Sequence, residues 1–164
     1  MVEVLFVDDE SRVLDGIRRM LFPERNRWNL HFAPSGREAL SLLDRQPIDV
    51  VVSDMRMPEM DGAALLTELS VRYPATIRIV LSGHSDADSA VRGMNAAHQY
   101  LSKPCDRTTL VAVIERALAL RPLMGDSRVR EVLNRIGALP PVPASYARIV
   151  TLVKEPNASI DQIV

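Results

Sequence analysis

A single cysteine, Cys105, stands among 164 residues, so no internal disulfide can form and a reducing compartment, the cytoplasm, is the natural setting. Aromatic residues make up only 4% and the formal net charge is −1, which leaves neither a basic footprint for nucleic acid nor a stacking surface for bases. No apolar run approaches the ~20 residues that span a bilayer. The opening MVEVLFVDDE also lacks the charged lead, long apolar core and small-residue cleavage site of a secretion signal. Internal repeats and low-complexity tracts are absent too. What is present, at 47% hydrophobic residues, is enough for one complete domain of ordinary size plus a fragment.

The stretch VVVSDMRMPEMDG, Val50 to Gly62, organises the rest. Its β-branched run is too short for a stable helix and predicts a buried strand ending in an acid, Asp54. Pro58, Asp61 and Gly62 then fit a turn that re-enters a helix at Ala63, which predicts Asp54 at the carboxyl edge of a sheet, open to solvent. Before it, Val2 to Val7 reads as a buried strand tipped by Asp8-Asp9. Val13, Leu14, Ile17, Met20 and Leu21 mark a helix ended by Pro23, and Trp28 to Ala33 is a second strand. Ser35 with Glu38 forms a capping box for a helix carrying Ala39, Leu40, Leu42 and Leu43, closed by Pro47.

After Gly62 a helix bears Leu65, Leu66 and Leu69 as far as Pro74, and Ile77 to Leu81 is a fourth strand stopping at Ser82-Gly83. Ser85 and Asp88 cap a helix with Ala90, Val91 and Met94. Gln99 to Leu101 is a short fifth strand before Ser102-Lys103-Pro104. Asp106 caps a last helix with Leu110, Val113, Ile114, Ala117 and Leu118, stopped by Pro122. Alternating strands and helices, with strands apolar on both sides, predict an α/β fold: a doubly wound, five-stranded parallel sheet with helices on both faces. Ligands in such sheets sit beyond the carboxyl ends of the strands, where Asp8, Asp9, Asp54, Ser82 and Lys103 collect.

Three gathered carboxylates repel one another and persist with a cation between them, which suits Mg²⁺ or Mn²⁺. Asp9 and Asp54 are the expected direct ligands, with Asp8 holding a metal-bound water. Lys103 can neutralise a carboxylate and Ser82 can donate a hydroxyl to an arriving oxygen. These are the parts needed for a nucleophilic Asp54 to accept a phosphoryl group.

These residues, the pair Asp8-Asp9, the acceptor in SDMRMPEMDG, the hydroxyl of LSGH, and Lys103-Pro104, resemble in order the receiver domain of two-component response regulators over residues 2 to 121. The resemblance implies a flavodoxin-like sheet of order 2-1-3-4-5 and transfer to Asp54 from a sensor histidine kinase or phosphotransfer protein. It implies Mg²⁺ held by Asp9, Asp54 and the backbone carbonyl of Arg56, and Ser82 with Tyr100 as the switch pair. It also implies Lys103 bridging to the phosphate and a cis bond between Lys103 and Pro104. Such a protein is a self-phosphorylating and self-dephosphorylating switch rather than an enzyme with a diffusing substrate.

From residue 126 the rhythm changes to short helices, marked by Val129, Val132, Leu133 and Ile136, then Tyr146, Ile149, Val150 and Val153, with a third severed at Val164. The expected division is a receiver over 1–121, a linker over 122–127 and the start of an output domain over 128–164. The run Gly137-Ala138-Leu139-Pro140-Pro141-Val142-Pro143, an amphipathic helix and Pro-Asn-Ala-Ser-Ile resemble the beginning of an HDOD domain, a helical output module acting through protein contacts. The chain's own output domain is thus one expected partner. Val111 and Ala119, expected exposed on the last receiver helix, hint at a homodimer contact.

Simpler readings stand beside these. Asp8-Asp9 could cap the first helix, Ser82-Gly83 could be a plain turn, and Lys103-Pro104 a surface loop. Arg56 and His84 either flank the phosphoryl group and tune its lifetime or are solvated loop residues. His31, His98 and Cys105 read as structural, without metal-ligand spacing. A haloacid-dehalogenase-type phosphatase would want a second Asp two residues after the nucleophile, where Arg56 stands. A phosphorylation-independent interaction module and a true HD-type phosphodiesterase output are the remaining alternatives.

Overall fold

A computed structural model of the chain describes residues 1–83 and 96–119. The expected helix from Ser85, His84, the linker and the whole 128–164 segment lie outside the described residues. Five parallel strands form one sheet in the order β2-β1-β3-β4-β5, the order the resemblance implies. They are β1 (Val2–Val7), β2 (Trp28–Ala33), β3 (Val50–Asp54), β4 (Ile77–Ser82) and β5 (Gln99–Ser102). The described helices are α1 (Ser11–Met20), α2 (Gly36–Arg45), α3 (Gly62–Arg72) and α4 (Arg107–Leu118).

Successive strand side chains point to opposite faces, so strands apolar throughout feed two cores. Leu5, Val7, Val51 and Val80 pack with Ala39, Leu40 and Leu43 of α2 and Leu65, Leu66 and Leu69 of α3. Val4, Phe6, Val50, Val52, Ile77, Ile79 and Leu81 pack on the other face with Leu14 and Ile17 of α1 and Leu110, Ile114 and Ala117 of α4. Val111 is half-buried against this second core, so the expected exposure holds for Ala119 and not for Val111.

Side-chain caps start three helices: the Ser35 hydroxyl accepts from the Glu38 N–H, Asp61 from the Ala64 N–H and Asp106 from the Thr109 N–H. Asp61 thereby starts α3 at Gly62, one residue before the predicted Ala63. Pro23 does not stop α1 directly. The helix ends at Met20, and Pro23 lies in the first turn of a following 3₁₀ segment, Phe22–Asn26, where a missing N–H costs nothing.

Candidate acceptor site at the carboxyl edge of the sheet

Strand register assembles the site. Val7 lies opposite Ser53 and Asp54 opposite Leu81, so Asp8 follows at the tip of β1 beside Asp54, and Ser82 extends one position beyond Leu81 on the other flank. Ser82 pairs with Ser102, and the Lys103 N–H donates to the Ser82 carbonyl at 2.7 Å, which brings Lys103 to the same rim. The Lys103-Pro104 bond is cis, as the resemblance implies.

The Lys103 Nζ lies 2.6 Å from Asp54 Oδ1 and 2.8 Å from Asp8 Oδ2. Their remaining oxygens accept backbone hydrogen bonds: Asp54 Oδ2 from the Arg56 N–H at 2.8 Å, and Asp8 Oδ1 from the Glu10 N–H at 2.9 Å. Burial works to lower the Lys103 pKa, but hydrogen bonds and charge from Asp54 and Asp8 outweigh it and leave the ammonium held above its ordinary value. Asp8 therefore does part of the simpler job too, since it serves the backbone just before α1, whose own N-cap Glu10 makes no side-chain cap.

One expectation is corrected. Asp54 is not open to solvent: it is 7% exposed and Asp8 1%. The sequence places an acid at a strand tip, but Lys103 arrives across it from a strand nearly fifty positions away and the Arg56 turn folds over its second oxygen.

Asp9 is exposed, and among the described residues its carboxylate has no side-chain partner. No group of three His, Cys, Asp or Glu residues is drawn together as a metal cage among the described residues. Instead the Lys103 ammonium stands between Asp8 and Asp54, a cation placed where the two carboxylates demand one. The donor chemistry, adjacent carboxylates at one tip with a third on the next strand, suits a hard divalent ion that shares or takes over that role.

Tyr100, across from Val80, is half-buried against the α2–α3 core, and burial pushes its phenol up. Arg56 is exposed beside the acceptor. Away from the rim, His31 pairs with Glu3 at 2.7 Å, His98 is buried at the opposite end of the sheet against Arg78, and Cys105 is half-buried with its thiol pushed up by burial.

Two features went unread in the sequence. At Gly62 a Cβ would come within 2.2 Å of the Asp54 carbonyl and 3.0 Å of Met55 Cα, while its N–H donates to the Met55 carbonyl at 2.9 Å. The Asp61-Gly62 pair signals a turn, and only the packing of α3 on the acceptor's own backbone shows why glycine is needed there. Glu59, in the same turn, has φ of 64°, a left-handed conformation that non-glycine residues seldom adopt.

Comparison with known proteins follows the same residues. A family model described as the response regulator receiver domain matches residues 4–115. The hydrogenase transcriptional regulatory protein HoxA of Cupriavidus necator is 38% identical over 125 residues, 75% of this chain and 25% of that protein. The DNA-binding transcriptional regulator NtrC of Proteus hauseri is 31% identical over 163 residues, 96% of this chain and 34% of that protein. The chain thus spans between a quarter and about a third of the length of these curated relatives. Among solved structures, the signal receiver domain of an HD domain-containing protein from Pseudomonas fluorescens Pf-5 superposes with a TM-score of 0.71 at 33% identity, covering 77% of this chain and 93% of that one. A response regulator receiver domain protein from Clostridium thermocellum gives 0.69 at 33%, covering 76% and 99%.

Proposed function

The chain belongs to the response regulator receiver family, and from that premise we propose that it is a two-component response regulator whose phosphoacceptor is Asp54. An Asp54 carboxylate oxygen attacks the phosphorus of a phosphohistidine on a sensor kinase or phosphotransfer protein. The new O–P bond forms as the P–N bond breaks, and the imidazole leaves with a proton from solvent. Lys103 turns from Asp54 to the arriving phosphoryl oxygens, Ser82 donates its hydroxyl to one of them, and the Arg56 N–H remains a donor at the same edge. Asp9, Asp54 and the Arg56 carbonyl would hold Mg²⁺ or Mn²⁺, with Asp8 behind them. Bound there, the ion neutralises charge on the transferring oxygens.

The observation that carries this reading is the Lys103 ammonium bridging Asp54 and Asp8 at 2.6 and 2.8 Å. Phosphorylation adds charge there, and Ser82 and Tyr100 pass the change to the β4–β5 surface and α4. Arg56, exposed beside the acceptor, would help set how long the acyl phosphate lasts, and His84, two positions after Ser82 in the sequence, is the other candidate for that role. The test is labelling by acetyl phosphate with Mg²⁺: the wild type forms an acyl phosphate and Asp54→Asn does not. Persistent labelling of the variant removes Asp54 from the role. Beryllofluoride binding should likewise require Asp54, Lys103 and Mg²⁺ together.

The receiver occupies 1–121, residues 122–127 link it to an output domain, and 128–164 open an HDOD module controlled through protein contacts. The GALPPVP run supports this, as does a similar solved receiver that comes from an HD domain-containing protein. A transcriptional output is the second reading, favoured by the NtrC match extending over 163 residues. Sequence-specific binding of a DNA fragment would favour the second reading over the first.

A further inference from the structure

Arg78 is a buried cation that the acceptor chemistry does not use. It interrupts an apolar strand, between Ile77 and Ile79, and is 1% exposed. Burial alone pushes its pKa down to about 10. Holding a guanidinium in such a place is costly unless hydrogen bonds satisfy it.

Among the described residues its contacts gather on the segment leading into β5 and on the turn that opens β4. Arg78 Nε donates to the Ala96 carbonyl at 2.6 Å, and Nη2 lies 3.1 Å from His98 Nε2. The Arg78 N–H donates to His98 Nδ1 at 3.0 Å, and the His98 N–H returns to the Arg78 carbonyl at 2.8 Å. Nη1 donates to the Thr76 carbonyl at 3.1 Å, so the same group also reaches the turn that opens β4.

Ala96 and His98 are the entry to β5, a four-residue strand that, among the described residues, pairs with β4 alone. That strand carries Tyr100 and delivers Lys103. From His98 to Lys103 is five residues, roughly 16 Å of extended chain. β5 is thus held at both ends, by Arg78 below and by the Lys103 ion pairs above.

We infer that Arg78 is a positioning residue for the acceptor site: by clasping Ala96 and His98 it fixes where β5 enters the sheet, and through β5 where Lys103 meets Asp54. The inference rests on Asp54 being the phosphoacceptor. Because Arg78 lies near the amino end of β4, away from the rim, and acts on Lys103 through β5, its loss slows phosphoryl transfer without weakening divalent-ion binding.

The test uses the full chain as wild type, Arg78→Met, Arg78→Lys and Thr76→Val, the last removing a buried hydroxyl that donates to the Ile48 carbonyl and does not touch β5. Acyl-phosphate formation from acetyl phosphate at saturating Mg²⁺, the Mg²⁺ Kd and the urea midpoint are measured on each. Arg78→Met should form acyl phosphate about tenfold more slowly, with the Mg²⁺ Kd within about twofold of wild type or tighter. Arg78→Lys, which keeps the cation and one donor centre, should recover part of the rate and carries the test if the methionine variant does not fold. Thr76→Val should lose stability and keep its rate. A folded Arg78 variant labelling at the wild-type rate overturns the inference, as does a parallel loss of Mg²⁺ affinity or an equal slowing in Thr76→Val. If the wild type fails to label, or Asp54→Asn labels as well, the acceptor assignment itself falls and this inference with it.

Discussion

Replacing Lys103 by methionine keeps the length of the side chain and removes the charge that closes the rim. Asp8 and Asp54, at 1% and 7% exposure, would then face one another with no cation between them. Removing one member of a buried pair costs roughly 3–5 kcal/mol. The Lys103 side chain keeps 28% exposure, so solvent screens part of the interaction and a loss of about 2–3 kcal/mol is the working figure. With a urea m-value on the order of 2 kcal/mol/M for a domain of this size, the midpoint in EDTA at neutral pH should fall by about 1–1.5 M.

Two further arms bear on the cause. Mg²⁺ held at one concentration, about 100 times the wild-type Kd, stabilises the wild type by about 2.7 kcal/mol. It should move the variant's midpoint further than the wild type's, because in the wild type the ion meets an ammonium already in place. The pH arm follows from the raised Lys103 pKa. The stability it contributes is fully present below the ordinary value of 10.5 and is lost as pH rises through the higher folded value. The gap between wild type and variant should therefore hold through neutral pH and close only above 10.5. A loss below about 0.5 kcal/mol in EDTA would refute the reasoning, since Asp8 and Asp54 would then not depend on Lys103.

Gly62→Ala forces a methyl into the Asp54 carbonyl, 2.2 Å away, and should cost about 1–3 kcal/mol while slowing acyl-phosphate formation. Gly16→Ala in α1, where nothing lies within 4 Å, should instead be stabilising by about 0.5–1 kcal/mol in the same urea titration. At the other end of the sheet the His31 hydrogen bond, opposed by burial and helped by Asn29, holds the Glu3 carboxyl below its ordinary 4.5. A depressed carboxylate contributes stability above the unfolded pKa and loses it as pH falls through the folded one. Glu3→Gln should accordingly cost about 0.5–1 kcal/mol near neutrality, a gap that shrinks as pH drops below 4.5 in paired denaturation curves.

Strands and helix starts were legible because their signals are local. Val50–Asp54 is buried along its whole length, as a doubly apolar run should be, and Ser35 and Asp106 cap the helices their positions announced. The residues of the rim were legible as tips of those strands. What escaped was set by partners distant in the chain. Glu24 sits in a polar stretch, FPERNR, yet is 4% exposed because Arg107 of α4 and Arg27 close over it. Arg78 passed as one polar letter in an apolar strand, since only the β5 entry gives its guanidinium a reason to be inside. The closure of Asp54 was invisible for the same reason: nothing near it in the sequence names Lys103 as its lid.

The pairing of Val7 with Ser53 and of Asp54 with Leu81 also limits how such a gene can change length. Losing one codon inside β1, β3 or β4 would turn half a strand over, sending Phe6, Val52 or Ile79 into the wrong layer and pulling the terminal acid or hydroxyl off the rim. The turns at the amino edge other than the Thr76 and Ala96 entries that Arg78 clasps carry no part of the acceptor or of its support. Insertions and deletions inherited without loss of signalling should gather there.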